Sequence, residues 1–246
     1  MSLRDHGPVV RAALVLAAAL VFVGSPLLTG GFGGFDPNQF PVPQVDPPVQ
    51  PSGYAFSIWG IIYVWLLVHA SAGISGERRR DPVWDATRAP MIVSLAIGAS
   101  WIPVAKASPP WATVLIFAML AGALVALWHG RGSDPWTLTG PLGLYAGWLT
   151  AASFVSLGIT AAGFGLGPGA TVWAWIAIVA ALGVAGAIQW ATRAPFYAVA
   201  VAWALAAVTV RNWGADWGLA TLAALGGAGI LAVVPLRRDA RREREI

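Results

Sequence analysis

Long apolar runs, separated by short segments that carry Pro, Gly or Arg, dominate this chain. A helix needs about 20 residues to cross the roughly 30 Å hydrocarbon core of a bilayer. Eight runs approach that length, and they predict spans over 9–28, 54–74, 90–107, 110–129, 141–163, 171–191, 195–212 and 216–236. Pro90, Pro195 and the pair Gly140 and Pro141 mark junctions between runs. We therefore expect an all-α polytopic membrane helix bundle of about eight transmembrane helices.

The composition supports the same class of protein. Hydrophobic residues make up 57% of the chain and charged residues only 11%, whereas a soluble domain carries roughly 25% charged residues. Membrane lipid is therefore the expected surrounding of the protein. The basic residues lie in the connecting segments, where membrane orientation explains them, so we expect no nucleic-acid partner. The first run lacks a small-x-small cleavage site after its apolar stretch, which favours a retained helix over a signal peptide.

The distribution of Lys and Arg predicts the orientation. With the amino terminus in the cytoplasm, thirteen of the fifteen basic residues fall on the inner side, and only Lys106 and Arg211 fall outside. Cytoplasmic segments are enriched in Lys and Arg, so both termini are predicted to be cytoplasmic. The long Gly- and Pro-rich loop 29–53 is then extracytoplasmic, and 237–246 forms a basic cytoplasmic tail.

The second span begins with an aromatic pattern, PSGYAFSIWGIIY, directly after the loop. Phe56, Trp59 and Tyr63 are three and four residues apart, so on a helix they share one face. This stripe could hold a flat apolar ligand, or it could be a packing seam or part of an interfacial aromatic belt. Trp59 and Trp101 lie at similar depth below the outer surface. Trp148 lies nearer the inner end, which argues against one pocket for all five tryptophans inside spans.

Groups that catalyse reactions or couple transport to ions are not apparent in the spans. Every Asp and Glu lies in a loop, a tail or a helix end, which weighs against a proton-coupled pump. His69 and His129 fall at similar depth and leave haem ligation open, although interfacial histidines without a ligand are commoner. No metal cluster or nucleophile triad is visible, so we expect neither an enzyme nor a certain cofactor.

Three segments resemble the tryptophan-rich sensory protein family (TspO/MBR, the peripheral-type benzodiazepine receptor family), in a longer variant. The Pro-rich loop running into Gly53–Tyr63 resembles the family's PPGWVFGPVWTLLY. Trp101 in ASWIP resembles the tryptophan of its third helix, and LYAGWLT at 144–150 is similar to its PYLxWVxFA stretch. Gly98 and Ser156 stand where the family has asparagine. The resemblance covers roughly 9–163.

The resemblance implies a five-helix domain over 1–163, whose loop, over 36–53, covers a pocket for a porphyrin, a sterol or another apolar ligand. Three additional helices, 164–236, lie outside it. The implied ligand-binding residues are Tyr54, Phe56, Trp59, Tyr63, Trp101, Tyr145 and Trp148. The expected function is a receptor or sensor in the bacterial cell membrane, with a possible porphyrin ligand and a possible homodimer. The alternatives are a permease without a proton-coupling residue and a light-dependent porphyrin-degrading protein.

Overall fold

The computed structural model describes residues 6–233, and every regular element in that range is helical. The α-helices are α1 (His6–Thr29), α2 (Ile58–Gly73), α3 (Pro82–Ala107), α4 (Pro109–Gly130), α5 (Thr139–Gly163), α6 (Ala170–Thr192), α7 (Pro195–Asn212) and α8 (Trp217–Ala232). Short 3₁₀ helices lie at Pro37–Gln39, Gly53–Ser57 and Gly76–Arg80. Seven segments are long and apolar enough to cross a membrane, whereas α8 has 16 residues. The prediction of a polytopic membrane bundle is confirmed. The tail 237–246 lies outside the described residues.

The start of the third helix corrects the prediction that Pro90 marks a junction. α3 begins eight residues earlier, at Pro82, because the Asp81 carboxylate accepts hydrogen bonds from the amides of Val83 and Trp84. Pro82 occupies the first turn, where its missing N–H leaves no helical hydrogen bond unmade. Pro90 lies inside the helix. At Pro90, α4 approaches closely, because a Cβ on Gly122 would lie 2.7 Å from the Pro90 carbonyl oxygen.

α5 forms the centre of the bundle, since nearly three quarters of its most apolar window is buried. It packs against α4, α6 and α7. Gly143 and Gly147 let α7 approach: a Cβ would lie 3.1 Å from the Tyr197 nitrogen at Gly143 and 2.4 Å from the Tyr197 carbonyl oxygen at Gly147. Small residues four apart are a common way for membrane helices to pack at short distance. The sequence GLYAG at 143–147 therefore fixes the position of α7 on α5.

α8 completes the bundle by packing on α7. The spacing of Ala223 and Gly227 in the sequence predicts that α8 packs closely against another helix, and in the structure that helix is α7 of the same chain. Ala223 is fully buried, and a Cβ on Gly227 would lie 3.5 Å from Leu205 Cβ. The homodimer stays a prediction, and this seam is occupied by α7.

The connecting segments alternate between two ends of the bundle. At one end, the loop pairs Asp46 with Arg211 at 2.9 Å, and Lys106 Nζ donates to the Thr29 carbonyl. At the other end, Arg78 pairs with Asp134 at 3.1 Å. The two basic residues expected outside therefore lie at the end that carries the loop. Which end faces the cytoplasm stays a prediction.

The buried side chain of Arg88 organises the end opposite the loop. Its guanidinium donates to the carbonyl oxygens of Pro8, Gly73, Arg78 and Arg79 and to Asp85 Oδ1, at 2.8–3.1 Å. Arg11 also donates to both Asp85 oxygens. These bonds join α1, the end of α2 and the start of α3.

Candidate functional site

A cavity of about 250 Å³ lies beneath the loop, among α1 to α5 and α7. Most of its wall is apolar, and aromatic rings make up much of it. The aromatic residues that line the cavity are Phe22, Phe32, Phe35, Phe56, Trp59, Tyr63, Trp101 and Trp148. The void that the aromatic stripe of the second span was expected to border is therefore present.

Phe56, Trp59 and Tyr63 all lie in the cavity wall. Phe56 belongs to the 3₁₀ segment Gly53–Ser57, and the other two lie in the first two turns of α2. Trp59 and Tyr63 stack with their ring centroids 5.2 Å apart. The spacing of three and four residues thus puts the rings on one face, as expected, and that face borders the void.

Trp101 and Trp148 also lie in the wall of the cavity. The Trp101 indole N–H donates to the Ala112 carbonyl at 2.8 Å, and its ring meets Phe32 edge-on at 4.7 Å. The Trp148 ring lies 5.9 Å from Phe56 and 6.3 Å from Trp59. Three tryptophans from three helices therefore share one cavity.

The contact between Trp59 and Trp148 corrects the depth of Trp59 inferred from the sequence. Residue counting places Trp59 near the outer end and Trp148 nearer the inner end, yet the Trp148 ring contacts Trp59 in the first turn of α2. The two helices do not end at the same level, because α5 continues for 15 residues beyond Trp148, or about 22 Å. The loop fills the space between the start of α2 and the end of α5, where Val49 lies against Gly158 and Phe40 lies against Gly163. The other two in-span tryptophans, Trp65 and Trp203, lie outside the cavity wall.

Tyr54 and Tyr145, the remaining residues of the expected site, are not in the cavity wall. Tyr54 is 48% exposed and its ring contacts Trp203 on α7. Tyr145 is fully buried behind the wall, where its ring contacts Phe22 and its hydroxyl lies 3.0 Å from Ser94 Oγ. Tyr145 can support the aromatic residues of the wall, but it does not reach the void.

Phe22 of α1 is a wall residue that the sequence analysis missed. Its ring meets Tyr63 at 5.4 Å and Trp59 at 5.9 Å, both edge-on. Gly98 leaves the space for this ring, since a Cβ there would lie 2.6 Å from Phe22 Cε2. The absence of a side chain at Gly98, noted as a departure from the family asparagine, was the available signal. It could not indicate which residue fills the space.

The loop covers the cavity with its first residues rather than with 36–53 as a whole. Phe32 and Phe35 line the void. From the later part of the loop, 36–53, the residues that line it are Gln50 and Pro51. Gly30, Gly31 and Gly34 have φ values of 78°, 66° and 128°, which favour glycine. The segment is attached just beyond Phe35, where Gln39 Nε2 donates to the carbonyls of Ala105 and Lys106 at 2.9 and 2.8 Å.

A family model described as TSPO-like protein matches residues 33–236. The chain belongs to the TSPO-like protein family. Neither a curated protein nor a solved structure matches it. The matched range includes α6, α7 and α8 of this TSPO-like chain, whereas the sequence resemblance stopped at 163. That resemblance rested on residues in α2, α3 and α5, which explains its shorter range. The division into 1–163 and 164–236 stays a prediction.

Polar groups in the cavity wall of the TSPO-like chain are few. The Ser25 hydroxyl donates to the Ala99 carbonyl at 2.7 Å, and Ser156 Oγ lies 2.7 Å from Thr113 Oγ1. Both hydroxyls are therefore engaged within the protein. Trp148 differs, because its buried Nε1 has no hydrogen-bond partner among the described residues. A buried N–H usually finds an acceptor, so this indole is an unsatisfied donor in a residue of the wall.

Charged groups of the TSPO-like chain lie away from the cavity. Among the described residues, its wall contains no Asp, Glu, Lys, Arg or His. His69 is buried at the other end of α2, where Nδ1 lies 2.8 Å from the Thr137 carbonyl oxygen and the ring stacks on Trp84. His129 is exposed at the end of α4. Neither histidine is placed to bind a ligand within the cavity.

Asp134 stabilises the turn between α4 and α5, at the end of the bundle opposite the cavity. Partial burial raises the pKa of its carboxyl, but hydrogen bonds from the Thr137 hydroxyl and from the amides of Thr137 and Trp136 outweigh burial. With Arg78 alongside, the pKa lies below its ordinary value. The carboxylate therefore stays charged and fixes the turn between α4 and α5.

Proposed function

We propose that this TSPO-like membrane protein is a receptor or sensor that holds a flat, mostly apolar ligand, such as a porphyrin, beneath the loop. The observation that carries the proposal is the void bordered by eight aromatic side chains. Offset or edge-on contacts between aromatic rings contribute about 0.5–1.5 kcal/mol beyond area burial. A planar conjugated ligand can make several such contacts at once, whereas a flexible aliphatic ligand cannot.

The size of the cavity sets a condition on the ligand. Its volume of about 250 Å³ lies slightly below the roughly 300–1,000 Å³ of sites that enclose drug-sized molecules. A whole tetrapyrrole therefore requires Phe32 and Phe35 to move aside, while a smaller ring system fits beneath them. The glycine-rich run that carries these two rings supplies the backbone freedom for this movement.

The unpaired indole of Trp148 adds a chemical preference. When the indole ring turns so that its buried Nε1 faces the void, a ligand that carries a carbonyl or another acceptor can take the N–H that no protein group accepts. A neutral hydrogen bond contributes about 0.5–1.5 kcal/mol net. Substituting Phe for Trp148 keeps a ring but removes the donor, so a ligand with an acceptor should lose about 2- to 10-fold in affinity. A ligand without an acceptor should lose much less, and equal losses would contradict this role.

The chemistry of the wall favours binding over acid–base catalysis or coupled transport. Its described residues include tyrosine, serine, glutamine and three tryptophans, but no carboxylate, imidazole or basic group. Coupled transporters place ionisable groups at the substrate pathway. We therefore propose a binding function without enzymatic activity. Ligand flux in proteoliposomes would instead favour a permease.

Titration of the purified protein with protoporphyrin tests the proposal. We expect a saturable change in ligand absorbance. Removing two rings by substituting Ala for both Trp59 and Trp101 should weaken binding about tenfold or more, given the contribution of each ring contact. Trp111, which is 65% exposed and outside the cavity, provides the matched control as Trp111→Phe. Absence of saturation, or equal affinity in the double variant, would refute the proposal.

A further inference from the structure

α7 lies along the second half of the loop and contacts it through four residues. The contacts run antiparallel: later residues of α7 meet earlier residues of the loop. The paired residues are Arg211 with Asp46, Asn212 with Pro48, Ala207 with Ser52, and Trp203 with Ala55. Residues 203, 207 and 211 are four apart, so they share one helix face. This register fixes where the segment 46–55 lies on the bundle.

The composition of the segment explains why it needs a partner. Pro47, Pro48 and Pro51 have no N–H, so the segment cannot form a regular helix and its carbonyls need donors from elsewhere. Asn212 is 2% exposed, and its Nδ2 donates to the Pro48 and Val208 carbonyls, both at 2.8 Å. The Ser52 amide donates to the Ala207 carbonyl at 3.2 Å. α7 thus supplies both donors and acceptors to the segment.

These contacts bracket the wall residues that the segment contributes to the cavity. Gln50 and Pro51 line the void between the contacts at Pro48 and Ser52. Phe56 follows Ala55, whose carbonyl accepts the Trp203 indole N–H at 3.0 Å. α7 also borders the void directly through Ala204. The later side of the cavity is therefore positioned by α7 rather than by the loop alone.

We propose that α7 positions part of the ligand site. Asn212 and Trp203 are positioning residues that hold segment 48–56 in place and so set the position of Phe56. This inference rests on the proposed binding function for its effect on ligand, but the attachment of the segment does not. Releasing the segment opens the later side of the cavity. A ligand then both enters and leaves faster.

The attachment can be measured without any ligand. The chain contains no Cys, so Val49→Cys introduces a single thiol at a site that is 2% exposed under the segment. We expect Asn212→Ala to raise the rate of maleimide labelling of this thiol about fivefold, because a lost hydrogen bond shifts the open population by about 2- to 10-fold. Val210→Ala on the 56% exposed side of the same helix should leave the rate unchanged. Equal labelling in all three proteins would overturn the proposal.

Ligand kinetics separate positioning from a general loss of structure. In Asn212→Ala and in Trp203→Phe, which keeps the ring but removes the donor, the dissociation rate of protoporphyrin should rise about 2- to 10-fold. A purely structural defect would instead lower the fraction of protein that binds and leave the dissociation rate of that fraction unchanged. That result would overturn the positioning role. If the wild-type protein binds no protoporphyrin while labelling of Val49→Cys still responds to Asn212→Ala, the proposed ligand fails and the attachment stands.

Discussion

The crossing of α5 and α7 at Gly147 allows a quantitative test of the fold. Substituting Ala for Gly147 would place a Cβ 2.4 Å from the Tyr197 carbonyl oxygen and 2.9 Å from the Ala200 Cβ. Carbon contacts are most favourable at about 3.5–4.0 Å. Both obstacles are backbone or Cβ atoms that cannot rotate away, so the two helices must separate by roughly 1 Å at the crossing.

The magnitude follows from two opposing effects. Adding a methyl to a closely packed core costs about 1–3 kcal/mol, while replacing Gly by Ala within a helix returns up to about 1 kcal/mol. We expect a net loss of about 1–2 kcal/mol. For a chain of 150–250 residues, 1 kcal/mol shifts the Tm by about 2–4 °C, so the Tm should fall by about 2–8 °C.

Thermal unfolding in detergent, compared with Gly183→Ala, provides the assay. A Cβ at Gly183 of α6 meets nothing within 4 Å, so that variant gains helix propensity without steric cost. Its Tm should stay the same or rise. If Gly147→Ala and Gly183→Ala agree within a degree, the close approach of α5 and α7 is wrong. The function of α7 in holding the loop adds a second readout, since labelling of Val49→Cys should also increase in Gly147→Ala.

Three further variants test other parts of the molecule. Phe22→Ala removes a ring from the cavity wall, which should lower the free energy of unfolding by about 3 kcal/mol. It should also improve the binding of a bulkier ligand relative to Phe22→Leu. An unchanged ligand preference would contradict the place of Phe22 in the wall. Arg88→Met leaves four carbonyls without their donor and should lower the free energy of unfolding by about 3 kcal/mol or more. Thermal unfolding compared with Arg79→Met measures this loss. Equal Tm values would refute the role of Arg88 in joining the helix ends. Asp134→Asn should lower the Tm at pH 7. Because the folded pKa of Asp134 is lowered, the stabilisation is fully present above the ordinary value of 3.8 and is lost as the pH falls through the folded pKa. A Tm difference between the two proteins that does not shrink as the pH is lowered from 7 to well below 3.8 would contradict this assignment.

Local patterns predicted the helices and part of the site. Hydropathy over about 20 residues determined the spans, because each long helix must present apolar residues to lipid. The spacing of Phe56, Trp59 and Tyr63 predicted their common face, because neighbours three and four apart depend only on helix geometry. These features need no knowledge of how the helices pack.

Features that depend on packing between distant segments could not be predicted in this way. Trp148 reaches Trp59 because α2 begins about 22 Å below the end of α5, a stagger that residue counting cannot show. Phe22 enters the wall because Gly98, on another helix, leaves room for its ring. The interpretation of Pro90 as a junction was wrong, because Asp81 caps α3 before Pro82 and the helix continues through Pro90.

The attachment of the loop to α7 also sets an order of assembly. Pro48 and Ala55 precede their partners Asn212 and Trp203 by 164 and 148 residues. At a synthesis rate of about 5–20 residues per second, the loop waits roughly 10–30 s for those partners to be made. The chamber therefore closes only when the last third of the polypeptide has been inserted. A nascent chain halted after α5 would carry all eight aromatic residues of the wall but would leave them open on one side.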